Sequence, residues 1–350
     1  LPAEAIEKVE VITSPSARYD AEGTAGILNI VLRKGKAEGF HATVIANSGI
    51  PANFGGSTNM NYRTKRVNIF SSTGYSYSKS PGNSFSDVTY LDQFGSPKDY
   101  RKEVSEYDRE GYRFNTRIGM EYFITDRTSL TGSVMYGNSN GDDIATINMD
   151  ELDVNKLLTR TNERIETEDE LRKSTEYSLN LTQKFKNEGH LLTLDFQYET
   201  NTENEGNTIT DYDIFPLFIE NEPERNSTDE DSKDILFKGD YVLPLGENAQ
   251  FEFGFKVDLS DLTSDYLVEE FDTDTNQYLN NTDFSNTLNF EKNIIAVYSQ
   301  YGRKINKFSY LLGLRSETTD RKINLIQSDE IYNKKFTELF PTVNFGLEFD

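Results

Sequence analysis

The stretch Gln250-Phe251-Glu252-Phe253-Gly254-Phe255-Lys256-Val257-Asp258-Leu259-Ser260 decides the fold class. Successive side chains of a strand point to opposite faces. Phe251, Phe253, Phe255, Val257 and Leu259 therefore share one face, and Glu252, Gly254, Lys256, Asp258 and Ser260 the other. The same period of two recurs at residues 176–185, where Tyr177, Leu179, Leu181 and Phe185 oppose Glu176, Ser178, Asn180, Thr182 and Lys184. It recurs again at residues 192–199, where Leu192, Leu194, Phe196 and Tyr198 oppose Thr193, Asp195, Gln197 and Glu199. Segments around 112–123, 308–315 and 342–349 repeat it.

Working outward from these segments, twelve strands are expected near 38–48, 55–64, 66–78, 109–123, 128–138, 173–186, 190–202, 233–244, 249–262, 291–304, 307–317 and 337–349. Short turns fall at Thr64-Lys65, Thr125-Asp126, Asn187-Glu188-Gly189, residues 244–248 and Asn306. Long loops are expected at 79–108, 139–172, 203–232, 263–290 and 318–336, with a shorter one at 49–54. An antiparallel up-and-down meander puts all the short turns at one end and all the long loops at the other, which is the asymmetry of outer-membrane barrels. A soluble β-sandwich also alternates apolar and polar positions. It has no reason to sort its loops by length, and its strands are usually ~5–6 residues long. The expected architecture is thus an all-β transmembrane barrel in the outer membrane of a Gram-negative bacterium, with membrane lipid as a partner. Apolar strand positions should face that lipid. Glu252, Lys256 and Asp258, with Arg113, Arg117 and Glu121 on an earlier strand, should line the interior.

Composition excludes several classes. Only 35% of residues are apolar, and no run approaches the ~18 apolar residues of a spanning helix. A transmembrane strand needs only ~9–11 residues, of which alternate ones meet lipid. Acids (59) outnumber bases (36) for a net charge of -23, the wrong sign for nucleic acid. Residues 139–170, 203–231 and 263–289 alone carry 26 acids against 4 bases, so the charge belongs to one rim. There is no cysteine, hence no disulfide and no thiolate metal site.

His41 and His190 are the only histidines and fall on strands far apart. Without a nucleophile elbow, a phosphate loop or a His cluster, no enzymatic activity and no catalytic residue is expected. The loop aromatics Tyr212, Phe215, Phe218, Tyr266, Phe271 and Tyr278 are candidates for stacking a sugar or a chelate; the plainer alternative is that they form small cores holding the loops. Asp272, Asp274, Asn276 and Asp283 imitate calcium-loop spacing, but Gln277 stands where the turn glycine belongs. No cofactor is expected beyond this weak calcium spacing.

Residues 1–36 differ from the rest. Two short strands, Ile6–Ile12 and Ile27–Leu32, flank a turn-rich stretch. The run Ile6-Glu7-Lys8-Val9-Glu10-Val11, then Pro15-Ser16-Ala17-Arg18-Tyr19, then Gly23, Gly26 and Asn29-Ile30 resembles the C-terminal end of the plug domain of TonB-dependent outer-membrane receptors. Tyr19-Asp20-Ala21-Glu22-Gly23 resembles the form common in Bacteroidetes-type receptors, and Phe340-Pro341-Thr342-Val343-Asn344 resembles a barrel strand of that family. The resemblance implies a division into a plug remnant at 1–36 and the first part of a barrel at 37–350. It also implies a small nutrient ligand of the iron-chelate or oligosaccharide class, and energised plug movement driven by the TonB complex through a segment not contained in this chain. Family barrels have about 22 strands, so further strands are expected after Asp350, and the first and last strands should not pair. A closed barrel of twelve is the alternative. Leu1 reads as mid-domain, so the chain is expected to be part of a longer protein. The competing functional reading is a non-transporting surface protein, an adhesin or assembly scaffold.

Overall fold

A computed structural model describes residues 6–12, 16–18, 27–32 and 38–349. Strands β1 (Ile6–Ile12) and β2 (Ile27–Leu32) pair antiparallel as a separate two-stranded sheet. All other strands form one antiparallel sheet: β3 (Gly39–Gly49), β4 (Asn53–Arg63), β5 (Val67–Lys79), β6 (Gly82–Leu91), β7 (Pro97–Thr125), β8 (Thr128–Leu152), β9 (Leu158–Lys184), β10 (Leu191–Phe215), β11 (Ile219–Glu220), β12 (Glu224–Pro244), β13 (Ala249–Asp272), β14 (Gln277–Asn280), β15 (Asn286–Ile305), β16 (Phe308–Leu325) and β17 (Glu330–Leu347). Twelve of the 15 run in an unbroken up-and-down order from β3 to β17, while β6, β11 and β14 are short additions on β7, β10 and β13. Among the described residues no helix is present.

The twelve strands match those read from the alternation, and the tight turns match as well. Gly189 (φ +75), Gly246 (φ +76) and Asn306 (φ 54) hold three of these turns in the left-handed region. Glycine enters this region without steric cost, and Asn tolerates it better than most residues do.

The long loops are corrected. Residues 79–108, 139–172, 203–232, 263–290 and 318–336 are mostly strand: the ladders run on far past the apolar segments, and β7 alone has 29 residues. At ~3.3 Å per residue β7 is about 95 Å long, against the ~9–11 residues that cross a bilayer. Real connections at that end are tight, such as residues 153–157, where Asp153 accepts hydrogen bonds from the backbone N–H of Asn155 and Leu157 at 2.8 and 2.9 Å. Those bonds hold the Asp153 carboxyl below its usual range, the bond from Leu157 first.

The outer face loses its apolar character where these ladders continue. On β13 the outward side chains run Phe251, Phe253, Phe255, Val257, Leu259 and then turn polar at Asp261. On β10 Tyr198 is followed by Thr200, and on β16 Leu314 by Ser316. Beyond that level both faces are polar, so the period of two loses its apolar contrast. Backbone pairing and threonine-rich sequence still favour strand.

The exposed face carries the apolar band. Ile295 and Val297 on β15 are each 56% exposed, while Ile294, Ala296, Tyr298 and Gln300 between and beside them are buried. At the short-turn end the outer face has an aromatic girdle: His190 stacks on Phe185 at 4.1 Å, Tyr241 lies 5.1 Å from Phe253, and Phe308 lies 5.9 Å from Phe345.

No ladder joins β3 to β17 among the described residues. The sheet is open, and the closed barrel of twelve is not formed.

The long hairpins and the short turns should differ in access. Trypsin added to intact cells should cut at Lys156, exposed in the turn at 153–157 with φ 62, and spare Lys186 in the short turn. Fragment masses report the site. Cleavage at Lys186 with Lys156 intact would reverse the orientation.

Candidate functional site on the inner face

The register aligns Asp240 (β12), Gly254 (β13), Tyr298 (β15) and Arg315 (β16) in one row on the face opposite the apolar band. The next row holds Glu252, Gln300 and Gly313. Gly254 and Gly313 leave two dents in this wall. A Cβ at Gly254 would come within 2.6 Å of the Tyr298 ring and 2.9 Å of an Asp240 oxygen. The missing side chain thus lets the Tyr298 hydroxyl reach across β13 and donate to Asp240.

Residues 16–18 occupy this place. Ala17 is 3% exposed, and a Cβ at Gly313 would meet its methyl group at 2.9 Å. Arg18 Nη2 donates to Asp240 Oδ2 at 3.0 Å. Asp240 therefore carries a hydroxyl on one oxygen and a guanidinium on the other, as a carboxylate with little access to water requires. Beside it Arg315 donates from Nε and Nη2 to Glu317 Oε2 at 3.0 and 2.7 Å, both side chains buried.

Of the expected plug residues, Arg18 is in this contact and Asn29 lies on β2, whereas Pro15, Tyr19, Gly23 and Gly26 lie outside the described residues.

The polar strand positions sort as follows. Glu252, Lys256 and Asp258 share the inner face with Arg315 and Gln300, and Lys256 pairs with Asp258 at 3.0 Å. Arg113, Arg117 and Glu121 share one face of β7, and Arg117 reaches Glu176 two strands away at 2.9 Å. Farther out this face is a field of carboxylates crossed by arginines. Arg172 lies between Glu170 and Glu203 (2.8 Å to the latter), and Arg164 bonds Asp211 at 2.9 and 3.0 Å. Burial pushes the Glu168 carboxyl above its usual range, and the like charges of Glu205 and Asp143 push it the same way.

The loop aromatics pair off at hairpin tips. Tyr212 stacks with Phe218 at 6.1 Å, Phe271 meets Tyr278 edge-on at 5.1 Å, and Arg225 covers the Tyr278 ring at 3.7 Å. Tyr266 lies five residues from Phe271 on the opposite face of β13, and Phe215 ends β10. These six are thus spread over two tips and both faces. Asp272 accepts from the Asp274 N–H at 2.8 Å and caps its own turn, and its carboxyl is held low by that bond. Among the described residues no three His, Asp or Glu side chains converge as metal ligands. His41 and His190 stand on β3 and beside β10, six strands apart in the sheet, and His190 bonds the Tyr241 hydroxyl at 2.7 Å within the girdle.

The seat of Ala17 was not legible in the sequence: the only available signal was two glycines at polar-face positions of strands, Gly254 and Gly313.

Residues 183–350 match the model of the outer membrane protein beta-barrel family. A search of curated protein sequences found no match. Among solved structures, the outer membrane protease OmpT from Escherichia coli aligns over 81% of this chain and 97% of its own, at 10% identity and a TM-score of 0.23. That protein is an enzyme, so the expectation that a barrel without catalytic motifs has no activity is withdrawn. At this similarity it lends no activity and no residue to the present chain.

Proposed function

From the premise of a β-barrel protein in the outer membrane of a Gram-negative bacterium, we propose that the chain forms the plug end and part of the wall of a TonB-dependent nutrient receptor. Residues 1–36 belong to a plug that fills the lumen. The observation that carries this reading is the seat of Ala17 and Arg18 on the inner wall, against Gly313 and Asp240. A surface scaffold needs no segment inside its barrel.

The free edges of β3 and β17 support a larger barrel. Unpaired backbone groups facing lipid cost several kcal/mol each, and further strands remove that cost. A barrel of about 22 strands has a lumen wide enough for a plug. In this reading the TonB complex would supply the energy that moves the plug. Of the two nutrient classes, the carboxylate field on the outer part of the inner face favours an uncharged oligosaccharide, whose hydroxyls donate to carboxylates, over an anionic chelate. One observation favours the surface-protein reading instead: β6 is an exposed edge strand whose hairpin displays Phe85 and Phe94 at 83% and 82% exposure.

The chain has no cysteine, so a single engineered pair is clean. Ala17→Cys with Gly313→Cys should cross-link in intact outer membranes. Deleting residues 1–36 from the whole protein should sensitise cells to vancomycin, a probe too large for an occluded barrel. No cross-link and unchanged resistance would favour the scaffold.

A further inference from the structure

The outer face is not smooth. Gly132 on β8 lies in register between Met120 on β7 and Leu179 on β9. Its missing side chain opens a groove of about 520 Å³, walled by Ile69, Ile118, Met120, Val134, Tyr177 and Leu179. That volume suits a ligand chain rather than a single water.

The nearest short turns are basic. Lys65, Arg66, Arg127, Lys184 and Lys186 are exposed there, with only Asp126 and Glu188 between them. None of the five cations forms an ion pair among the described residues. Arg66 and Arg127 lie at neighbouring strand ends: the Phe123 N–H donates to the Arg66 carbonyl at 2.9 Å, and the Lys184 N–H to the Arg127 carbonyl at 2.7 Å. This end of the molecule is therefore positive where the hairpin end is strongly negative. Gly132 stands five residues up β8 from Arg127, about 16 Å of strand. Half of a ~30 Å hydrocarbon core is of the same size, so groove and cations fit the tail and head of one lipid in one leaflet.

We propose that this face binds an anionic phospholipid of the periplasmic leaflet, with an acyl chain in the Gly132 groove and the phosphate held by the turns at 64–66 and 126–127. An apolar groove alone would accept any chain. The unpaired cations select the charge of the head group, and their place at the short-turn end selects the leaflet. The inference rests on the outer-membrane placement and not on the transport reading.

The test uses the whole protein in detergent micelles, titrated with phosphatidylglycerol or phosphatidylcholine of the same chains, with bound lipid counted by native mass spectrometry. Phosphatidylglycerol should be retained about fivefold more strongly. Arg66→Ser with Arg127→Ser should bring that ratio close to one while phosphatidylcholine retention stays. Lysine at both positions should restore it. Gly132→Leu should lower retention of both lipids, and if that variant fails to fold, the turn variants alone decide. Equal retention of the two lipids by the unmodified protein overturns the proposal, as does a ratio untouched by the serine variants. A preference for lipid A over phosphatidylglycerol also overturns it, since that lipid occupies the opposite leaflet.

Discussion

Val297→Arg should destabilise the folded protein by about 2–4 kcal/mol, the cost of a cationic side chain on the lipid face near the bilayer midplane. Val297 stands midway along the apolar band of β15 and is 56% exposed, so little packing is lost and the effect reports on lipid contact. Lys256→Arg, one strand away on the inner face and paired with Asp258, should change stability by less than about 0.5 kcal/mol. Phe253→Arg, nearer the short turns, should cost less than Val297→Arg because the penalty falls toward the interface. Urea unfolding in lipid vesicles measures all three. Equal losses at Val297 and Lys256 would contradict the assignment of faces.

Arg315→Met should cost about 3–5 kcal/mol, because it strands the Glu317 carboxylate at a site with almost no access to water. The double variant Arg315→Met, Glu317→Leu should recover most of that loss, since apolar groups of similar volume replace a buried pair at little net cost. The same unfolding measurement serves. A double variant no more stable than Arg315→Met would mean that Glu317 finds another cation, and the pair would then not be the unit that matters.

The two experiments probe opposite faces of one sheet, and those faces were not equally readable. Phe251, Phe253, Phe255, Val257 and Leu259 announced the lipid side because burial in hydrocarbon requires an apolar residue at every second position, whatever the neighbouring strand carries. Asn306 and Gly189 announced their turns because few residue types adopt positive φ. The polar halves of β8, β9 and β10 read as loops in the sequence and are strands in the structure. A strand wet on both faces has no hydrophobic period, and its evidence is a backbone ladder such as Glu203↔Arg172 and Glu203↔Glu230, which only partners supply.

The inner face depended still more on tertiary structure. Asp240, Tyr298 and Arg315 are 58 and 17 residues apart in sequence steps and meet only because three inter-strand registers place them in one row. Arg18 reaches Asp240 across 222 positions of sequence, and no local pattern encodes a contact at that separation. The sequence alone thus carried the twelve strands of the meander, their apolar face, the tight turns and the acidic end, because each follows from a residue's own φ preference, its own polarity or the period of two; the short strands β6, β11 and β14 were not among them. Register, hairpin length, the open edges and the seat of Ala17 and Arg18 were decided by the tertiary structure, because each is a property of pairs of distant residues.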